Sequence, residues 1–332
     1  MILHPAVLAL LVGEIAVCLL LGGAAVNALA VLRRWDFASS AAAQLALERR
    51  TTVVATLAAL GLGLQVASLA LLLFTLEEIH VLFTGAMCAT GSLNANPLGW
   101  WALLVKTLLL LLSALWLGLH RLDLRAEDFP LVRVTSAGIL LLAPLAALDL
   151  ALLLAYFLGL DPEVVTSCCG SLFSEEGSGV ASALAALPPA PMRFAFFANA
   201  LALLAANRAS RHAARPWPRS AGGALALLFG PVALAAVVSF ISVGIYQLPE
   251  HHCPFDVLQH AYGFVGYPLY LGIFGAVVAN LLPALGVALR GRPSLAGPLR
   301  AAEPRWLRLG LISVLLSVGI AAWAAIAGLR LE

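Results

Sequence analysis

Apolar runs of about 20 residues recur along the whole 332-residue chain, and they restrict its fold more than any other feature. As an α-helix, a run of that length spans roughly 30 Å of hydrocarbon. Hydrophobic residues make up 62% of the chain and charged residues only 11%, whereas a water-soluble domain carries about a quarter charged residues. Lipid offers the backbone no hydrogen-bond partners, so each run has to be helical. The sequence therefore predicts an all-α, polytopic helix bundle in the lipid bilayer.

We predict eight transmembrane helices in a single transmembrane domain that comprises residues 1–332. Their approximate spans are 5–32, 51–74, 99–119, 134–160, 191–207, 221–246, 264–289 and 308–328. The first span is expected to be a retained helix rather than a signal peptide. No Lys or Arg precedes it, and Glu14 interrupts its apolar stretch.

Arginine is distributed unevenly between the connections that join these helices. Sixteen of the nineteen basic residues lie in alternate connections, namely Arg33, Arg34, Arg49, Arg50, Arg121, Arg125, Arg133, Arg208, Arg211, Arg215, Arg219, Arg290, Arg292, Arg300, Arg305 and Arg308. The positive-inside rule places these connections in the cytoplasm of a bacterial inner membrane. Both termini are then extracytoplasmic, and residues 75–98, 161–190 and 247–263 form the outer loops.

The predicted outer loops contain most of the chemically reactive side chains. These are Met87, Cys88, Cys168, Cys169, Glu250, His251, His252, Cys253, Asp256 and His260, and Met192 lies at the outer end of the fifth helix. The sequence therefore predicts that the functional face is extracytoplasmic.

The four outer cysteines have a structural interpretation. An extracytoplasmic compartment is oxidising, so its cysteines form disulfides unless another interaction prevents it. Cys88, Cys168, Cys169 and Cys253 allow three connectivities, among which the sequence cannot choose. A bond between the adjacent Cys168 and Cys169 would close a strained ring, so we expect each to pair elsewhere. Two such disulfides would bring the three outer loops together.

A metal site is the alternative interpretation of the same residues. Thiolate, thioether and imidazole groups suit copper or zinc better than magnesium or calcium, and the candidate ligands are Cys253, His251, His252, Cys168, Cys169, Cys88 and Met87. Pro254 favours the first position of a short helix that runs to Tyr262. Cys253 would lie at the amino end of that helix, where the dipole stabilises a thiolate, and Asp256 and His260 would share one face.

The sequence allows two further functions for the residues of the outer loops. A poised Cys253 thiolate could take part in thiol–disulfide exchange, and outer histidines could ligate haem. Covalent attachment of a c-type haem is excluded, because the chain has no Cys-x-x-Cys-His sequence.

Three charged residues lie within apolar spans. Helical rise places Glu14, Lys106 and Asp149 roughly 10–17 Å below the outer surface, so they could meet. An unpaired charge at that depth is costly. The three residues are either a structural ion pair with a neutral carboxylic acid, or part of a path that leads a proton or cation inward from the outer loops.

These features support three functional hypotheses. The first is an inner-membrane protein that binds or passes a soft metal ion, or thiol electrons, at its outer face, with a periplasmic redox or metal-carrier protein as partner. The second is a transporter or permease subunit with structural disulfides and coupling through Glu14, Lys106 and Asp149. The third is a membrane anchor that docks a periplasmic redox protein. The chain has no ATP-binding motif, so a pump would need a separate ATPase, and nucleic acid is not an expected partner.

Overall fold

The protein is helical throughout the part of the chain that its structure describes. This computed structural model describes residues 2–161, 183, 185–212 and 215–329. These residues form helices and turns without any strand, and eight of their helices are long and apolar enough to cross a membrane. The predicted all-α membrane fold is therefore confirmed, and the chain is a multi-pass membrane protein.

Eight long helices and one short α-helix define the architecture of the described residues. They are α1 Pro5–Arg34, α2 Ala42–Ile79, the short α3 Ala89–Asn94, α4 Leu98–Asp123, α5 Val132–Leu158, α6 Pro189–His212, α7 Trp217–Tyr246, α8 Gly266–Leu289 and α9 Ala296–Gly328. Two helices begin well before their predicted apolar spans, α2 at Ala42 and α9 at Ala296. The preceding polar segments continue the helices because backbone hydrogen bonds extend beyond the hydrocarbon layer, which hydropathy does not detect.

The helices belong to two compact units. Unit 1 comprises Met1–Glu78, Asn96–Asp161 and Arg290–Arg300, and unit 2 comprises Ile79–Ala95, Pro162–Leu289 and Ala301–Glu332. Unit 1 thus contains α1, α2, α4 and α5, whereas unit 2 contains α3, α6, α7, α8 and most of α9.

Unit 1 is built around one apolar core to which all four of its helices contribute. The buried members of this core are Val17, Leu21, Ala24, Ala28, Ala58, Leu62, Leu109, Trp116, Ile139, Leu142 and Ala146. The exposed positions of the same helices are also apolar, for example Leu19, Leu60, Leu104 and Leu141. Such an outer surface suits contact with lipid rather than water.

In unit 2, small residues allow close approaches between helices. A Cβ on Gly244 of α7 would lie 2.1 Å from the carbonyl oxygen of Ala324 in α9, and a Cβ on Gly272 of α8 would lie 2.6 Å from Ser317 Oγ. Helix association in a membrane depends on this kind of packing, because lipid removes the hydrophobic driving force between helices.

Candidate functional site

The segment between α7 and α8 positions most of the candidate ligands of unit 2. Helix α7 ends at Tyr246, and the next residue, Gln247, adopts the left-handed conformation with φ 57°. Two separate 3-10 turns follow, Asp256–Leu258 and His260–Tyr262, and extended backbone at Gln259 (ψ 154°) divides them. The predicted continuous helix from Pro254 to Tyr262 is therefore wrong. Asp256 is buried and His260 is exposed, so these two residues do not share a face.

The hydroxyl of Tyr246 explains why this helix does not form. Tyr246 Oη donates a hydrogen bond to the carbonyl oxygen of Cys253 at 2.6 Å, and it accepts one from the Val257 N–H at 2.8 Å. In an α-helix these two backbone groups would bond to each other. The phenol takes the place of that bond and leaves Cys253 and Asp256 in a tight loop.

Cys88, Cys253 and Asp256 form the centre of the site. The sulfur atoms of Cys88 and Cys253 are 3.5 Å apart, and Cys253 Sγ lies 3.2 Å from Asp256 Oδ1. All three residues are buried, and one ligand atom from each lies within 4.8 Å of the others. Two sulfurs and one carboxylate oxygen are therefore close enough together to bind a single metal ion.

Three groups hydrogen-bond with the sulfur of Cys253. The Phe255 N–H points at the sulfur at 3.4 Å, and Thr90 Oγ1 is 3.5 Å from it. The Cys253 thiol in turn donates to Asp256 Oδ1 at 3.2 Å. The metal-free site therefore holds Cys253 as a thiol that is hydrogen-bonded to the carboxylate, and it would lose this proton on binding a metal ion.

His251 binds the other oxygen of Asp256. His251 Nε2 lies 2.6 Å from Asp256 Oδ2, and this hydrogen bond raises the pKa of His251 above its ordinary value, against the effect of its partial burial. Burial raises the pKa of Asp256, and the bond with His251 opposes that rise. The carboxylate therefore uses one oxygen for His251 and directs the other towards Cys253.

His252 is held elsewhere by an irregular turn of α7. Residues Val237–Ile241 form a π-helical turn, and the carbonyl oxygen of Val238 lies 2.8 Å from His252 Nδ1. A carbonyl can only accept, so His252 Nδ1 donates this hydrogen bond. His252 is buried but does not belong to the group formed by Cys88, Cys253 and Asp256.

The other predicted outer residues are spread over the surface or lie outside the described part of the chain. Met87 and Glu250 are exposed. The backbone carbonyl of Met87, rather than its thioether, contacts Gln259 Nε2, and the ring of His260 packs against Phe264. Cys168 and Cys169 lie outside the described residues.

A second cluster of charged groups is buried within unit 1. Lys106 Nζ lies 2.6 Å from Glu14 Oε1 and also forms an ion pair with Asp149 Oδ2. All three side chains are buried. The structure therefore brings together the three predicted intramembrane charges, from α1, α4 and α5.

Sequence reasoning missed three residues that complete these sites. Tyr246 and Thr90 contact the Cys253 segment, and buried Gln65 lies beside Asp149. A glutamine inside an apolar span is a detectable signal, and α2 was the one helix of unit 1 for which no polar side chain was proposed. Tyr246 and Thr90 carry no comparable signal, because both types are common near membrane interfaces or in loops.

Comparison with known proteins adds no relative to this description. No protein-family model matches the chain, no curated protein matches it, and no solved structure matches it.

Proposed function

We propose that this protein is a bacterial inner-membrane protein that binds a zinc ion through Cys88, Cys253 and Asp256 at its extracytoplasmic face. The observation that carries the proposal is the convergence of two buried sulfurs and a carboxylate oxygen within 4.8 Å. The orientation follows from the arginine-rich connections, which the positive-inside rule assigns to the cytoplasm.

The distances between the ligand atoms favour zinc over copper. A tetrahedral ion with Zn–S bonds of about 2.3 Å separates two sulfurs by about 3.8 Å and a sulfur from an oxygen by about 3.5 Å. The corresponding distances here are 3.5 Å between the sulfurs and 3.2 Å between Cys253 Sγ and Asp256 Oδ1. A two-coordinate Cu(I) ion would hold its two sulfurs on opposite sides and farther apart, so the pair would have to open before copper bound.

The surrounding groups suit a metal site in charge and orientation. Two thiolates and a carboxylate give a charge of −3, which a divalent cation reduces to −1. His251 beside Asp256 offsets the remainder when it is protonated. The bond from His251 to Asp256 also orients the carboxylate, as outer hydrogen bonds orient metal ligands generally. Three protein ligands leave a fourth coordination position on the zinc ion. Cys168, Cys169 and a water molecule are the candidates for this position.

Metal analysis of purified protein tests this proposal. Protein purified without chelator should contain about one equivalent of zinc, and Cys253→Ser and Asp256→Asn should lose it. Two matched controls should keep it. Cys18→Ser changes the half-buried thiol of α1, whose sulfur donates to the Ala146 carbonyl, and Glu250→Gln changes an exposed acid near the site.

A measurement on unaltered protein removes the risk that the variants fail to fold. Replacement of zinc by Co(II) should produce the sulfur-to-cobalt charge-transfer absorption of a thiolate site. Wild-type protein that binds neither ion, or Cys253→Ser protein that keeps its zinc, would refute the proposal. Replacing Cys168 and Cys169 in turn identifies the fourth ligand, since loss of affinity in one variant assigns that cysteine.

The short distance between the two sulfurs also supports a second candidate function, thiol–disulfide exchange. Oxidation of Cys88 and Cys253 would form one S–S bond and release two protons and two electrons. The electrons would reduce a disulfide of a periplasmic thioredoxin-like protein to its dithiol. Trapping a mixed disulfide between Cys253 and such a partner would favour this function, whereas protection of both thiols from alkylation by zinc alone would favour the metal site.

The proposed orientation has a separate test. Reporters fused in the connections that carry Arg121 and Arg211 should be active only in the cytoplasm, and a periplasmic signal from either would reverse the assignment of the two faces.

A further inference from the structure

The buried charges of unit 1 do not balance, although the cluster lies within the membrane-spanning part of the helices. Glu14 and Asp149 contribute two negative charges when both are ionised, and Lys106 contributes one positive charge. Among the described residues, Lys106 is the one cation within ion-pair distance of either carboxylate. Each of the three side chains is at most 1% exposed. A net charge of −1 in this environment is strongly unfavourable, and binding one proton removes it.

In the part of the chain that the structure describes, no other titratable group around the cluster supplies the missing positive charge. From α2 the cluster is contacted by Gln65, which has no charge. From α1 the next turn carries Cys18, whose thiol donates to the Ala146 carbonyl at 3.3 Å and is therefore protonated and neutral. From α4 and α5 the titratable groups that face the cluster are Lys106 and Asp149 themselves.

Hydrogen bonding identifies Asp149 as the acid that holds the proton. The side-chain amide of Gln65 can be oriented so that both its nitrogen and its oxygen have hydrogen-bond partners. In this orientation the nitrogen donates to Glu14 Oε2 at 2.9 Å and the oxygen accepts from Lys106 Nζ at 3.2 Å. Both oxygens of Glu14 then accept hydrogen bonds. Asp149 Oδ2 contacts Lys106, but Asp149 Oδ1 is buried without a partner among the described residues. A bare carboxylate oxygen is much more costly there than a neutral hydroxyl.

We propose that Asp149 is a membrane-embedded proton-binding site, with Glu14 and Lys106 as the ion pair that adjusts its affinity. A proton from water binds Asp149 Oδ1 and forms the neutral carboxylic acid, while Lys106 keeps its own proton. The charge of the cluster changes from −1 to 0 in this step. This site is independent of the cysteine site of unit 2, and its ligand is the proton itself.

Three buried polar residues of α2 form a row that runs from the cluster towards the end of unit 1 at which α1 begins. On α2, Gln65 is followed by Ser68 and Thr75, all of them buried. Ser68 Oγ donates to the Gln65 carbonyl at 3.1 Å, and Thr75 Oγ1 donates to the Leu71 carbonyl at 2.7 Å. Thr75 Oγ1 also lies 3.5 Å from the carbonyl oxygen of Ala6, in the first turn of α1. The row covers ten residues, or about 15 Å, and we assign proton entry to it.

Infrared spectroscopy measures the proposed proton directly, because the carbonyl stretch of a neutral carboxylic acid is separate from the bands of carboxylates and amides. Wild-type protein at neutral pH should show such a band, and ¹³C labelling of aspartate carboxyls should shift it whereas labelling of glutamate should not. This experiment needs no variant. A spectrum without the band, or a band that follows glutamate, would overturn the assignment to Asp149.

Substitutions test whether the net charge of the cluster controls the protonation of Asp149, or whether Asp149 is a neutral acid with a structural role alone. Asp149→Asn should abolish the band. Glu14→Gln should also abolish the band, because Lys106 then pairs with an ionised Asp149. Lys106→Met should roughly double the intensity of the band, because both acids become neutral. Glu127→Gln, at an exposed position of unit 1, should leave the band unchanged. A band that persists at full intensity in Glu14→Gln would show that the balance of charge does not control the proton.

Hydrogen–deuterium exchange of the same band tests the path of entry. Transfer of wild-type protein to D2O should shift the band, and a band that never shifts would show a closed structural acid instead of a binding site. Thr75→Val should slow the shift at least tenfold without changing the band intensity. Thr107→Val should not slow it, since Thr107 lies on α4 next to Lys106 but outside the row and donates to its own helix. Equal rates of deuterium exchange in Thr75→Val and wild type would refute the proposed path.

Discussion

The sulfur of Cys88 lies 3.5 Å from the sulfur of Cys253, although 165 positions of the sequence separate the two residues. Cys88 precedes the short helix α3, and Cys253 follows α7. Their proximity defines the cysteine site of unit 2.

We predict that the two thiols crosslink on mild oxidation when no metal is present. Their sulfurs need to move only from 3.5 Å to an S–S bond length of about 2.05 Å. The measurement is mass spectrometry of the linked peptides in a variant in which Cys18, Cys168 and Cys169 are replaced by serine. Bound zinc should prevent the crosslink, and oxidised protein that yields no Cys88–Cys253 peptide would contradict the geometry.

The contact between His251 and Asp256 should stabilise metal-free protein in a pH-dependent manner. The pKa of His251 is raised above its ordinary value of 6.5, so its contribution is fully present below about pH 6.5 and is lost as the pH rises through the raised pKa of the folded state. The difference in melting temperature between wild type and His251→Gln should therefore be largest in mild acid and shrink in alkali. His260→Gln, at an exposed position, should show no such trend, and a difference that grows with pH would contradict the prediction.

Removal of the Tyr246 hydroxyl should destabilise the loop that carries Cys253. In Tyr246→Phe, the Cys253 carbonyl and the Val257 N–H both lose their partner, and a buried polar group left unsatisfied costs about 1–3 kcal/mol. Chemical denaturation and metal affinity should both reveal the loss. Tyr262→Phe is the matched control, because its ring packs on Tyr246 at 4.6 Å but its hydroxyl makes no hydrogen bond to the described residues. Equal stability of the two variants would show that the Tyr246 hydroxyl is dispensable.

The close approach of α7 to α9 should make Gly244 intolerant of a methyl group. A Cβ at this position would lie 2.1 Å from the Ala324 carbonyl oxygen, so Gly244→Ala has to push the helices apart, at a cost of about 1–3 kcal/mol. Thermal unfolding in detergent measures this cost. Gly319→Ala in α9, where a Cβ meets nothing within 4 Å, should be neutral or slightly stabilising, and similar melting temperatures for both variants would refute the contact.

Part of the candidate sites follows from the sequence and part does not. Glu14, Lys106 and Asp149 stand out because charged residues are rare in apolar spans, and the regular rise of a helix places them at similar depth. Gln65 completes their hydrogen bonding, but helical rise alone does not tell which side of α2 faces α1. The helix predicted after Pro254 illustrates the opposite case. Pro254 is a good first residue for a helix, yet the Tyr246 hydroxyl occupies the backbone groups that the helix would need.

The helical class and the number of long helices follow from the amino-acid sequence, because a bilayer satisfies backbone groups only within a helix and makes hydropathy a direct measure of each span. The contact of Cys88 with Cys253, and the inward direction of Asp256 opposite the outward direction of His260, are evident only in the folded protein. These arrangements depend on contacts between segments that are distant in the chain, and no local pattern of residues encodes the direction in which a loop side chain points.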